Sequence, residues 1–82
     1  MTARPETLAA FGLALYRLRT DREWSLRRAA REAGVSVTTL HRAEQGRNVQ
    51  PLTAVRLASA YGTTVGALLD GAEATLKMEG RA

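Results

Sequence analysis

The run LRRAAREAGVS, residues 26 to 36, leaves two helices almost no chain between them. Ser25 stands just before Leu26 as an N-cap, because its hydroxyl can accept a backbone N–H that the first helical turn leaves unpaired. Gly34 follows Ala33 as a C′ residue in left-handed conformation, where a Cβ would resist the sharp exit from the helix. Ser36 then caps the next helix, so only Gly34, Val35 and Ser36 separate the two. So short a link cannot return the second helix antiparallel to the first. A large crossing angle is expected, with Val35 plugging the corner.

This is the spacing of a helix-turn-helix, and the chain on either side reads as helix too. Pro5-Glu6-Thr7 is an N-terminal signal, and Leu8, Phe11, Leu15 and Leu18 follow at steps of 3, 4 and 3, one apolar face. Thr20 to Glu23 breaks that period before Trp24-Ser25 starts the second helix, whose Ala29, Ala30 and Ala33 form a thin apolar side with Arg27, Arg28 and Arg31 outside. The third helix starts at Val37 and Gly46 closes it. After the polar Arg47 and Asn48, Pro51 opens a fourth helix carrying Val55, Leu57, Ala58 and Tyr61, which Gly62 ends. Thr64 caps a short fifth helix from Val65 to about Asp70, with Val65, Leu68 and Leu69 apolar. The expected fold class is all-α: an N-terminal arm over 1–6, a compact five-helix domain over 7–70 and a tail over 71–82, ill-ordered or dimerising.

Composition narrows the function. The 82 residues make one small domain, with room for one core and not for two lobes around a cleft. There is no cysteine, so disulfides and thiolate chemistry are excluded, and the single His41 cannot hold a metal alone. His41 also has no acidic or nucleophilic companion on its face of the helix. Neither catalytic residues, a metal nor a cofactor are expected. No run approaches the roughly eighteen apolar residues of a membrane span, and no signal-peptide layout is present, so a soluble, cytoplasmic protein is expected. Between Arg17 and Arg56 nine arginines face four acids, a basic middle that suits nucleic acid better than a membrane surface, because no long apolar face accompanies it.

Phe11-Gly12, Leu15, Leu18-Arg19, Trp24-Ser25, Ala29-Ala30, Ala33-Gly34-Val35-Ser36, Leu40, Glu44, Gly46, Leu57-Ala58, Gly62 and Leu68-Leu69 together resemble the Cro and phage-repressor (Xre) family of DNA-binding domains. The resemblance implies the lambda-repressor-like fold, with the helix-turn-helix at helices two and three. It also implies that Arg19 and Glu44 join the first helix to the third by a structural salt bridge. The chain departs from the family at several places. Trp24 and Ala29 stand where leucines are usual, which places Trp24 with Tyr61 in the core, and Leu26 replaces a frequent phosphate-reaching Gln.

At about 100° per residue Leu40, Ala43 and Glu44 fall on one side of the third helix, so Thr38, Arg42 and Gln45 project from the other. Arg42 can place two donors on guanine O6 and N7; Thr38 offers a hydroxyl and a methyl; Val37 can touch a thymine methyl. Val37, Thr38 and Arg42, with His41 to one side, are the expected base readers. Arg28, Ser36, Thr39, Gln45, Arg47 and Asn48 are the expected phosphate contacts, which position without specifying. The expected function is sequence-specific double-stranded DNA binding by a transcriptional regulator, a repressor acting as a homodimer on an operator. Leu69, Leu76 and Met78, or Leu13 and Tyr16 on the first helix, are candidate partner surfaces. Two other readings stay open: an antitoxin-type autorepressor that also binds a protein partner, and a protein-interaction module that does not read DNA.

Overall fold

The computed structural model describes residues 4–70, and among them every regular element is a helix. α1 spans Pro5–Asp21, α2 Leu26–Ala33, α3 Val37–Glu44 and α4 Pro51–Ala60, and α5 occupies residues 65–70. α1 opens with Pro5 in its first turn, where a missing N–H sacrifices no helical hydrogen bond, and Glu6 complements the positive end of the helix. The helix thus takes in Pro5 and Glu6, which the sequence reading had given to an arm. The four later starts hold hydroxyl caps or a proline. Ser25 accepts the Arg28 N–H, Ser36 the Thr39 N–H and Thr64 the Ala67 N–H, and Pro51 begins α4.

Helices α1 to α4 all close in one way. Paired backbone bonds run from Glu23 to Thr20 and Trp24 to Arg19, from Gly34 to Arg31 and Val35 to Ala30, from Gly46 to Ala43 and Arg47 to Arg42, and from Gly62 to Ser59 and Thr63 to Ala58. Each closure sets one residue at positive φ: Glu23, Gly34, Gly46 and Gly62. Glu23, at φ 56, carries a side chain in that region, a strain of about 1 to 3 kcal/mol that the α1–α2 turn has to offset.

The core is built from a few large side chains separated by small ones. Phe11 and Leu15 of α1, Leu40 of α3, Leu57 of α4, Tyr61 and Leu68 are buried in one cluster with Ala29, Ala30 and Ala33 of α2 and Ala54 and Ala58 of α4, and α2 contacts α4. Small residues let these helices approach closely. The same holds more stringently between α1 and α3, where a Cβ on Gly12 would strike the carbonyl oxygens of Ala43 and Glu44. A Cβ on Gly46 would come within 2.9 Å of the Ala9 Cα, so the end of α3 lies directly on the backbone of α1.

Three side chains sit differently from the sequence reading. Val55 is 51% exposed while Ala54 is buried, because the stripe of Ala54, Leu57, Ala58 and Tyr61 faces the core and places Val55 one step round the helix. Val49, which the periodicity had not marked, is buried against the core just ahead of α4. Trp24 is half-buried, not enclosed: it sits in the turn at the rim of the core, its ring centroid 5.8 Å from that of Tyr61. Burial pushes the Tyr61 phenol up from its ordinary value, which keeps it protonated.

Two arginines fasten this frame. Arg22 at the end of α1 donates to the carbonyls of Leu18 and Tyr61 and lies over the Tyr61 ring, tying the ends of α1 and α4 together. Arg19 donates from Nε to Glu44 Oε2 at 2.7 Å, from Nη2 to Oε1 at 3.1 Å and from Nη1 to the Trp24 carbonyl at 3.0 Å. The two side chains are 13% and 6% exposed. The hydrogen bond to Glu44 raises the Arg19 pKa further, so the guanidinium is permanently charged.

Two mutational outcomes follow from this packing. Glu44→Ala strands a largely buried guanidinium and should lower stability by about 3 to 5 kcal/mol, whereas the apolar pair Arg19→Met with Glu44→Leu should lose much less; thermal unfolding of both variants checks this, and a negligible loss in Glu44→Ala would count against the clamp. Gly12→Ala should cost about 1 to 3 kcal/mol by overpacking, which in a domain of this size is a fall in Tm of roughly 4 to 8 °C per kcal/mol.

Candidate nucleic-acid interface

α3 is seated on one side and bare on the other. Leu40 and Ala43 are buried and Glu44 is held by Arg19, while Thr38, His41, Arg42 and Gln45 are exposed and Val37 is 40% exposed. The helix is therefore fixed in rotation by its inner contacts, and its outer face presents a methyl-bearing pair, an imidazole and a guanidinium to whatever docks there. Among the described residues no salt bridge occupies Arg28, Arg42 or Arg47.

The start of α3 has its own geometry. The Ser36 hydroxyl accepts the Thr39 N–H at 3.0 Å and donates to Thr39 Oγ1 at 2.8 Å. Both roles of the Ser36 hydroxyl are thus committed to capping, so its backbone N–H is the group left to meet an anion. Thr39 accepts in that pair and keeps its own hydroxyl hydrogen free to donate. Half-buried, Thr39 opens into a groove of about 330 Å³ lined by Thr39, Arg42, Asn48, Val49, Gln50 and Thr53. One wall is the outer edge of α3 and the other the entry to α4, and all of the lining except Val49 can donate a hydrogen bond.

The groove unites residues that were separate in sequence. Thr39 and Asn48, expected to contact phosphate, line it with the base-reading candidate Arg42. Gln50 and Thr53, which are not among the sequence-based candidates, join them. In the sequence Gln50 stands only at the entry to α4, directly before Pro51, and Thr53 in its first turn, with nothing to mark either as facing α3. Arg47 and Asn48 are exposed in the α3–α4 link, which the Arg47 N–H pins to the Arg42 carbonyl at 3.1 Å. Arg28 lies farther off, on the first turn of α2, with its guanidinium over the Trp24 ring.

Of the candidate partner surfaces, Tyr16 is 47% exposed on α1 and carries the Arg19 guanidinium over its ring at 5.3 Å. Leu13 and Leu69 are half-buried; Leu76 and Met78 lie outside the described residues. Among the described residues, no cluster of His, Asp and Glu could hold a metal ion, and no helix is long and apolar enough to cross a membrane.

Comparison with known proteins agrees with this geometry. Two crystal structures of the clp gene regulator ClgR from Corynebacterium glutamicum superpose on the chain. One has a TM-score of 0.81 and 28% identity over 92% of this chain and 81% of that one. The other has a TM-score of 0.73 and 28% identity over 84% and 91%. A search of curated proteins gives no match. The family of helix-turn-helix domains matches residues 10–71, from the middle of α1 to just beyond α5. With its two capped helices across Gly34 and a buttressed, outward-facing α3, this chain belongs to the helix-turn-helix domain family.

Proposed function

We propose that the protein is a transcriptional regulator that binds double-stranded DNA sequence-specifically by laying α3 in the major groove. The observation that carries this reading is the division of α3 into a locked inner face and a polar outer face bearing Thr38, His41 and Arg42 beside Val37. A helix that is to read bases must hold its rotation while keeping its donors free. Arg42 meets that need for guanine and Thr38 and Val37 for thymine, with His41 at the margin of the face. The similarity to a gene regulator and the family membership support a regulator over an enzyme.

Arg28, Ser36, Thr39, Gln45, Arg47 and Asn48 are the groups assigned to phosphates, Ser36 through its N–H and Thr39 through its hydroxyl. Gln50 and Thr53 extend the same groove. One module of this size covers little of the duplex, so a homodimer on a palindrome with half-sites about 34 Å apart, acting as a repressor by occupying an operator, is the arrangement proposed.

Selection of bound sequences from random duplex DNA tests the reading. An enriched motif with G and T in each half-site is the expected outcome, the spacing of half-sites reports dimerisation, and a failure to enrich any motif would sink the proposal. On the selected duplex, Arg42→Ala should relax preference at one base position by about 1 to 3 kcal/mol. Arg47→Ala should instead weaken all duplexes alike and flatten the slope of log affinity against log salt by about 0.9.

A further inference from the structure

Three arginines of the described chain lie over aromatic rings: Arg19 over Tyr16, Arg22 over Trp24 and Tyr61, and Arg28 over Trp24. They differ in what their N–H groups do. Arg19 spends its donors on Glu44 and the Trp24 carbonyl, and Arg22 spends its own on the carbonyls of Leu18 and Tyr61. Arg28 makes no side-chain hydrogen bond or salt bridge among the described residues. Its guanidinium carbon sits 4.9 Å from the Trp24 ring centroid, the shortest of these distances, and its side chain is otherwise in solvent.

Stacking holds a guanidinium by its face and leaves the donors around its edge available. The indole that does this is itself immobilised. It packs against the core, lies 5.8 Å from the Tyr61 ring, and has Arg22 over it at 5.8 Å. Arg28 is also misplaced as a device for helix stability: the first turn of α2 holds Arg27 and Arg28 and no acid, where the positive end of the helix disfavours cations. A cation kept there, braced by an aromatic ring with its donors unused, is suited to an anion approaching from outside.

We infer that Trp24 is a positioning residue for DNA binding: it fixes the Arg28 guanidinium, edge outward, for one phosphate of the duplex backbone. The inference rests on the proposed DNA-binding reading. It also gives the half-buried indole a task beyond filling the rim of the core. Without the ring the long Arg28 side chain must lose its rotamer freedom at the moment of binding, and the contact weakens.

The test compares wild-type protein, Trp24→Leu, Trp24→Phe, Arg28→Ala and the Trp24→Leu/Arg28→Ala double variant. Affinity for one selected duplex is measured across a salt series, with folding checked by circular dichroism. Trp24→Leu and Arg28→Ala should each weaken binding about two- to fivefold. Each should also reduce the salt slope by up to about 0.9, and the double variant should lose no more than Arg28→Ala alone. Trp24→Phe keeps a ring and should retain most of the slope; it also serves as the probe if Trp24→Leu proves unfolded, in which case Phe must lie measurably between wild type and Arg28→Ala. The inference is overturned if Arg28→Ala flattens the slope while folded Trp24→Leu does not, if Trp24→Phe standing in for an unfolded Trp24→Leu matches wild type, or if Trp24→Leu weakens binding equally in the Arg28→Ala background. It also falls if Arg28→Ala leaves the slope unchanged. Wild-type protein that fails to bind the duplex would instead overturn the DNA-binding reading itself. As the chain has a single tryptophan, its emission reads the contact itself: Arg28→Ala should shift the spectrum of the free protein, and an unchanged spectrum would count against the Arg28–Trp24 contact.

Discussion

The Glu44 carboxylate takes two N–H donors from Arg19, and the orientation of α3 depends on that pair. α3 has only eight residues and buries only Leu40 and Ala43, too little apolar surface to fix its rotation unaided. The bidentate contact supplies the missing constraint because a planar fork meets a planar carboxylate in one geometry. The third donor of Arg19, on the Trp24 carbonyl, carries the constraint to the α1–α2 turn. One guanidinium therefore ties the end of α1, the entry to α2 and the last residue of α3. Buried pairs of this kind add little net stability, but they specify an arrangement.

The rest of the frame is economical in the same sense. A domain this small cannot build a thick core, so its helices approach through glycine and alanine, and its closures repeat one backbone pattern at four turns. Arg22 repeats at α4 what Arg19 does at α3, closing free carbonyls at two helix ends while lying on aromatic rings. With the inner faces so occupied, uncommitted polar groups line the outer side of α3 and the groove toward α4. That segregation separates the scaffold from the surface available to a polyanion.

Much of this could be read in the residues because the signals were local. Ser25, Ser36 and Thr64 before helical runs, Gly34, Gly46 and Gly62 after them, and Pro51 at a helix entry act through their own backbone, so the sequence sufficed to place them. The burial of Leu40 and Ala43 followed from helical period. What escaped depends on tertiary placement. Val55 and Ala54 differ by one helical step, and only the position of α2 decides which is buried. Val49 lies in a link with no period, Trp24 at a rim that no pattern marks, and Arg22 acts on a carbonyl 39 residues away. Gln50 and Thr53 became visible as groove residues only once α4 was set against α3. Within the candidate site, the face of α3 was thus readable and its continuation across the groove was not.

On the proposed reading the outer face of α3, and no other surface, meets DNA bases. Backbone amide spectra of the isotope-labelled protein, titrated with a duplex carrying the selected half-site and with a scrambled duplex of equal length, test it most directly. Shifts specific to the selected duplex should concentrate on Val37, Thr38, His41 and Arg42, while changes at Arg28, Arg47 and Asn48 should occur with both duplexes. Sequence-dependent shifts centred on Tyr16 or on Leu52 and Val55, or identical responses to the two duplexes at Val37 to Arg42, would contradict it.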